Sequence, residues 1–246
     1  MLVFGNERNA NGRPLPIHWK RAIAIIWTGQ ALSVLATCAA TFAVIWHVTT
    51  AEDSALALSA VGIAALLPTA LLSPFGGVAA DRFNKKHLMI AADGTAGLFS
   101  LLMAILALTE MLPLGLLLGL LVVRSAAQAF HGPALMALMP ELVPERDMVR
   151  INTLDHALSS LSAIGGPVLG ILLYTAWGFA AVLLLDAACA AVACLCLAAA
   201  RLPYAHSAGT SHGGVVAELR EGLAAIASDA GVRALLALAM AAMLLF

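Results

Sequence analysis

Six long apolar runs, each of a length that crosses a bilayer, constrain this 246-residue chain more than anything else in it. A membrane-crossing helix needs about 20 mostly apolar residues, because hydrocarbon offers no partner to an exposed peptide group. The runs are Ala22–Trp46, Ala55–Val78, Leu88–Thr109, Leu114–Leu138, Ile151–Tyr174 and Gly178–Ala200. A seventh, Ala234–Phe246, is too short to cross and reads as the truncated start of a seventh helix. The expected fold class is an all-α membrane protein. Its parts are a cytoplasmic tail over 1–21, a six-helix transmembrane bundle over 22–200, a cytoplasmic linker over 201–233 and the start of a further span over 234–246. Charged residues make up 11% of the chain, about half of what a soluble domain carries.

Basic residues set the orientation, because lysine and arginine are retained on the cytoplasmic side. The tail holds Arg8, Arg13, Lys20 and Arg21; the segment Ala79–His87 holds Arg82, Lys85 and Lys86. Arg146 and Arg150 follow in Met139–Arg150, and Arg201, Arg220 and Arg233 in the linker. The alternate connections, His47–Ser54, Glu110–Pro113 and Thr175–Trp177, hold none. The expected setting is the cell membrane, multi-pass, with the N-terminus cytoplasmic. The remaining basic residue of the thirteen, Arg124, lies inside a span.

Polar side chains inside hydrocarbon are costly, so their spacing marks faces that look at protein or water. In the first span Gln30, Ser33, Thr37 and Thr41 form one helical stripe, and in the fourth Arg124, Gln128 and His131 do. In the fifth, Asn152, Asp155, Ser159, Ser162 and Gly166 repeat the pattern. Small polar residues and glycine also serve as helix-packing surfaces, so the first and fifth stripes admit either reading. Arg124 does not, because it lies about ten residues from the nearer end of its span, beyond the reach of snorkelling. It needs a carboxylate, or an acceptor such as Gln30 across a cavity. Asp93, Asp155 and Asp186 are the candidates for a proton-carrying carboxylate, and each could equally stabilise helix packing. The third span around Asp93 and the sixth around Asp186 are also alike (Leu88–Ala96 and Ala181–Cys189), the trace of an inverted repeat.

A net charge of −1 gives no general attraction to nucleic acid. The four cysteines lie in apolar runs without metal-ligand spacing, so neither a metal nor a cofactor is expected. Asp155 and His156 are helix neighbours about 100° apart and make a poor catalytic pair, so an enzyme is not expected.

Between the second and third spans stands Gly77-Val78-Ala79-Ala80-Asp81-Arg82-Phe83-Asn84-Lys85-Lys86. This segment resembles the signature loop of the major facilitator superfamily. Asn84 stands where that family usually has glycine, and asparagine tolerates the left-handed backbone such a turn uses. Arg124 is similar to the buried arginine that the family associates with proton coupling, with Gln128 in place of the usual glycine. Ser162-Ala163-Ile164-Gly165-Gly166-Pro167-Val168-Leu169-Gly170 resembles the glycine–proline signature of the antiporter branch. Phe130–Leu135 and Pro140–Glu145 look closest to macrolide-efflux-type and siderophore-exporter drug:proton antiporters. The resemblance covers the first half of a twelve-helix protein.

It implies proton-coupled efflux of amphipathic small molecules, such as macrolide-like drugs, by alternating access. Gln30, Ser33, Thr37, Asp93, Arg124, Gln128 and Asp155 would line the substrate and proton pathway. Gly77, Asp81, Arg82, Lys85 and Lys86 would form the conformational hinge, with Gly77 allowing close helix approach and Asp81 capping a helix N-terminus. Ser162, Gly166, Pro167 and Gly170 would form a packing seam in which leucine at 166 is disruptive and alanine milder. The implied partners are a small-molecule substrate, protons, the lipid bilayer and a missing C-terminal half or second six-helix bundle. A lipid or siderophore exporter and a non-transporting membrane protein are the alternatives.

Overall fold

A single helix follows each apolar run in the computed structural model, which describes residues 4–16, 18–52, 54–200, 228, 231–235 and 238. The helices are α1 (Trp19–Glu52), α2 (Ala55–Arg82), α3 (Lys85–Leu108), α4 (Leu114–Leu142), α5 (Glu145–Trp177) and α6 (Phe179–Ala199). All six are long and apolar enough to cross a membrane. The chain divides into two units after Ala208, and in the second, residues 231–235 are helical and exposed. Most of the expected linker and of the further span at 234–246 lies outside the described residues.

The helices overrun the expected spans at both ends of the bundle, α1 running on to Glu52 and α5 to Trp177. The connection expected over Ala79–His87 shrinks to Phe83 and Asn84, and that over Met139–Arg150 to Val143 and Pro144. Polarity limits how deep a residue sits in a membrane but not whether it is helical, and alanine, arginine and glutamate are good helix formers. Asn84 has φ −64° and ψ 112°, and its side chain accepts from the Lys86 and His87 amides. It is therefore an N-cap and not a left-handed turn residue. Among the described residues positive φ falls at Gly12, at Glu110 between α3 and α4, and at Gly178, where α5 breaks into α6 at φ 84°.

The tail is more structured than its polarity suggests. Phe4–Arg8 (β1) pairs antiparallel with Pro14–Pro16 (β2). The Asn9 side chain accepts from the Asn11 and Arg13 amides, and Gly12 takes φ 75°. The hairpin is fastened to the α4–α5 corner: Ala10 N donates to the Val143 carbonyl at 3.0 Å, and Asn9 Nδ2 to the Glu141 carbonyl at 3.0 Å.

Helix packing repeats itself. α5 packs on α1 as α2 packs on α4, α6 packs on α1 as α3 packs on α4, and α3 and α6 pack on each other. Asp93 and Asp186 are 93 positions apart, as are Pro74 and Pro167, and Gly97 and Ala190. At that last pair the two repeats meet, for a Cβ on Gly97 would lie 2.7 Å from Ala190 Cβ. The bundle is thus a 3+3 arrangement with α3 and α6 at the seam between the two repeats.

Two apolar cores result. One, at the hairpin end, gathers Leu15, Trp19, Ile26, Met89, Leu138, Leu142, Val143 and Leu197. The other, at the far end, gathers Val44, Val48, Val61, Met103, Leu117, Leu121, Val182 and Leu183. Along α1, α3, α4 and α6 the residues between these cores include the buried polar ones. α2 and α5 bury mostly small residues and leave Leu66, Leu71, Ile164 and Leu172 outward.

Candidate functional site

Between the two cores lies a layer of hydrogen-bonded polar side chains. Its first cluster centres on Arg124 of α4. Arg124 Nη2 lies 2.8 Å from Asp186 Oδ2, Nε donates to Ser100 Oγ at 2.9 Å, and Nη1 reaches Thr41 Oγ1 at 3.5 Å. Asp186 is held further by Ser100, which donates to Oδ2 at 2.6 Å, and by Thr37, which donates to Oδ1 at 2.9 Å. Arg124 and Asp186 are 3% and 2% exposed. Charges so placed persist only when paired and hydrogen-bonded. Helices α1, α3, α4 and α6 each contribute, so the cluster pins the centre of the bundle.

The second cluster lies toward the hairpin end. Gln30 Nε2 donates to Asp93 Oδ2 at 3.1 Å, and Gln30 Oε1 lies 2.8 Å from His131 Nε2. His131 Nε2 is also 3.6 Å from Asp93 Oδ1. All three side chains are buried. α1 and α4 thus serve both clusters, with Gln30 and Thr37 two turns apart on one helix and His131 and Arg124 two turns apart on the other.

The structure brings Gln30, Thr37, Asp93 and Arg124 of the expected pathway into the layer, and of the two kinds of partner open to Arg124 it supplies a carboxylate. Arg124 takes Asp186, and Gln30 belongs to Asp93 and His131. Ser33 is buried on α1, and Gln128 is half-buried and joins neither cluster among the described residues. Asp155 is not brought to the layer. It is half-buried on α5, with Asn152 and Ser159 exposed near it, while Ser162 and Gly166 of the same stripe turn to α1. Ser100, His131 and Asp186 complete the layer. Ser100 gives no signal in the sequence, whereas Asp186 is marked by its place in the repeat and His131 by its place in the α4 stripe.

The hinge is built differently from its expectation. A Cβ on Gly77 would meet nothing, whereas one on Gly76 would strike the Ala129 carbonyl and press on Phe130 Cα at 3.2 Å. Gly76 is the residue that allows α2 to approach α4. Asp81 is exposed in the last turn of α2, so it caps no helix N-terminus and stands at the dipole end that disfavours an acid. Arg82 is half-buried beside it. Lys85 is buried with Glu141 at 3.2 Å, and Lys86 Nζ donates to the carbonyls of Ala198 and Ala200 at 2.9 and 2.8 Å. These carbonyls lie in the last turn and at the C-cap of α6, so the lysine supplies charge and donors at a helix C-terminus, which favours a cation.

In the α5 seam a Cβ on Gly166 would collide with Cys38 Cβ and lie 3.1 Å from the Ala39 amide nitrogen, and one on Gly170 would lie 2.7 Å from the Ala39 carbonyl. Helix α5 continues through Pro167. Ser162, Gly166 and Gly170 are its buried residues beyond Ile151.

Comparison with known proteins agrees with this architecture. The profile of the transmembrane secretion effector family matches residues 14–245. Macrolide efflux protein A of Streptococcus pyogenes is 33% identical over 220 residues, which cover 89% of this chain and 54% of that protein. The protein of the same name from Enterococcus faecalis is 33% identical over 184 residues, covering 74% and 57%. An uncharacterized MFS-type transporter of Bacillus subtilis is 22% identical over 151 residues, covering 61% and 36%. No solved structure matches the chain. The chain spans about half the length of the curated relatives it matches. With six helices fit to cross a membrane, a 3+3 packing pattern and a family profile over nearly its whole length, the chain belongs to the transmembrane secretion effectors of the major facilitator superfamily, a family of multi-pass membrane transporters.

Proposed function

We propose that the chain works as the N-terminal half of a proton-coupled exporter of amphipathic small molecules, macrolide-like compounds among them. The observation that carries this reading is the Arg124–Asp186 pair, buried in the polar layer between the two apolar cores. Burying a guanidinium at mid-depth costs at least about 2.5–3.5 kcal/mol, and a bundle with no more than a structural task is often as stable, or more so, with well-packed apolar residues there. Charge held at this depth supports a device that handles charge.

Asn152, Asp155 and Ser159 support a partner bundle. They form a polar face inside a span, and this bundle leaves Asn152 and Ser159 exposed and Asp155 half-buried. Such a face needs water or protein opposite it. A second six-helix bundle, from a longer chain or a second copy, would enclose a cavity between the two, and rocking about it would give alternating access. Half-buried Gln128 and the neutral residues of α5 suit a bulky ligand with apolar surface and a few polar groups. The segregation of basic residues supports a cytoplasmic N-terminus.

Accumulation of radiolabelled erythromycin in cells expressing the full-length protein tests the reading. Accumulation should be low, and should rise to the level of non-expressing cells when a protonophore collapses the gradient. An effect of ATP depletion at constant proton gradient, with none from the protonophore, would contradict it.

A further inference from the structure

The Asp93–Gln30–His131 cluster has a property that the Arg124 cluster lacks. A primary amide has one end that only donates and one that only accepts. In the structure its Nε2 faces Asp93 Oδ2 and its Oε1 faces His131 Nε2. Asp93 Oδ2 must therefore be bare, and His131 Nε2 must carry a hydrogen. Rotating the amide by half a turn reverses both demands: Asp93 must then carry the proton, and His131 must present a bare Nε2 with its hydrogen on Nδ1. The cluster thus has two complete hydrogen-bond patterns that differ in where the proton sits. No such alternative exists at Asp186, whose oxygens are held by a permanent cation and two hydroxyls.

Resting on the exporter reading above, we propose that Asp93 and His131 are the proton-carrying pair, with Gln30 as the positioning residue between them. The empty state is an Asp93 carboxylate with a neutral imidazole. One proton taken from water on one face gives the carboxylate–imidazolium pair. As the amide turns away, the His131 Nε2–H bond breaks and an O–H bond forms on Asp93 Oδ1, which lies 3.6 Å from Nε2. A half-turn of the carboxyl presents that hydrogen to Gln30 Oε1, leaving a carboxylic acid beside a neutral imidazole. The proton leaves to water on the opposite face, and only N–H and O–H bonds are made and broken. Asp93 is faced by His131 from α4 and by Asp186 and Cys194 from α6, while α1 presents uncharged Gln30. The Cys194 thiol donates to the Ile90 carbonyl at 3.6 Å. The charged residues of α2, which also packs on α4, are Asp81 and Arg82 in its last turn.

The test uses the full-length protein in inside-out vesicles and two readings of radiolabelled erythromycin: accumulation driven by a pH gradient, and exchange against unlabelled erythromycin with no gradient. Asp93→Asn and His131→Gln should each lose driven accumulation selectively, with exchange remaining and becoming insensitive to pH. Gln30→Ala should shift the pH profile of driven accumulation, which a purely structural role would leave in place. Driven accumulation retained in either Asp93→Asn or His131→Gln overturns the proposal. So does joint loss of accumulation and exchange in normally inserted variants. If Asp93→Asn fails to insert, His131→Gln decides. Absence of driven accumulation in the unsubstituted protein would instead overturn the exporter reading itself.

Discussion

Removing Arg124 alone leaves Asp186 buried with two hydroxyls and no cation, whereas removing both partners leaves no charge behind. Breaking a buried pair at one end costs about 3–5 kcal/mol, and replacing both ends by apolar groups is often close to neutral. Arg124→Ala should therefore lower the thermal stability of the full-length protein in detergent, and Arg124→Ala with Asp186→Ala should recover most of the loss without recovering transport. A double variant no more stable than the single would show that the two do not act as a pair. Arg124 was legible in the sequence as a lone charge in an apolar run. Its partner was not, because three aspartates were available and helix rotation decides which one faces it. Gln30 lies two turns from Thr37, about 10 Å along the axis, and that distance puts it in the other cluster.

Element by element, the helices follow the apolar pattern closely, and their contacts follow small residues. Gly76 and Gly166 each meet the backbone of a facing helix, while Gly77 meets nothing and Gly165 meets only Leu35 Cδ1 at 3.6 Å. Alanine at 76 or 166 should force α2 from α4 or α5 from α1, at about 1–3 kcal/mol each. Alanine at 77 or 165 should be nearly neutral in thermal unfolding. Alanine at 166 is thus damaging in its own right, and leucine there, which adds three more carbons to the same contact, should be worse. Equal effects within either neighbouring pair would contradict the packing. Spacing within the sequence locates a glycine-rich seam but not which glycine faces inward. The hairpin was hidden for a different reason: two strands of five and three residues carry too short a pattern to read, and only Asn11-Gly12 hints at the turn.

For the molecule as a whole, the 93-residue repeat, the two apolar cores and the polar layer between them follow from one plan used twice. The proposed orientation, with the basic residues cytoplasmic, predicts that single cysteines at Thr50 and Met111 in a cysteine-free background react with an impermeant thiol reagent from outside, and that one at Phe83 does not. All three positions are exposed in the bundle, so burial does not confuse the result. The reverse labelling would refute the orientation. The central claim is that substrate and protons cross in exchange, through a bundle whose charge is held at Arg124. Its most direct measurement is proton flux across proteoliposomes containing the full-length protein, recorded with a trapped pH dye when erythromycin is added. The account predicts a substrate-dependent proton movement in the direction opposite to the drug, absent in Arg124→Lys, which keeps the charge but loses the planar set of donors to Ser100 and Asp186. Drug movement with no accompanying proton flux, or an unchanged flux in Arg124→Lys, would contradict it.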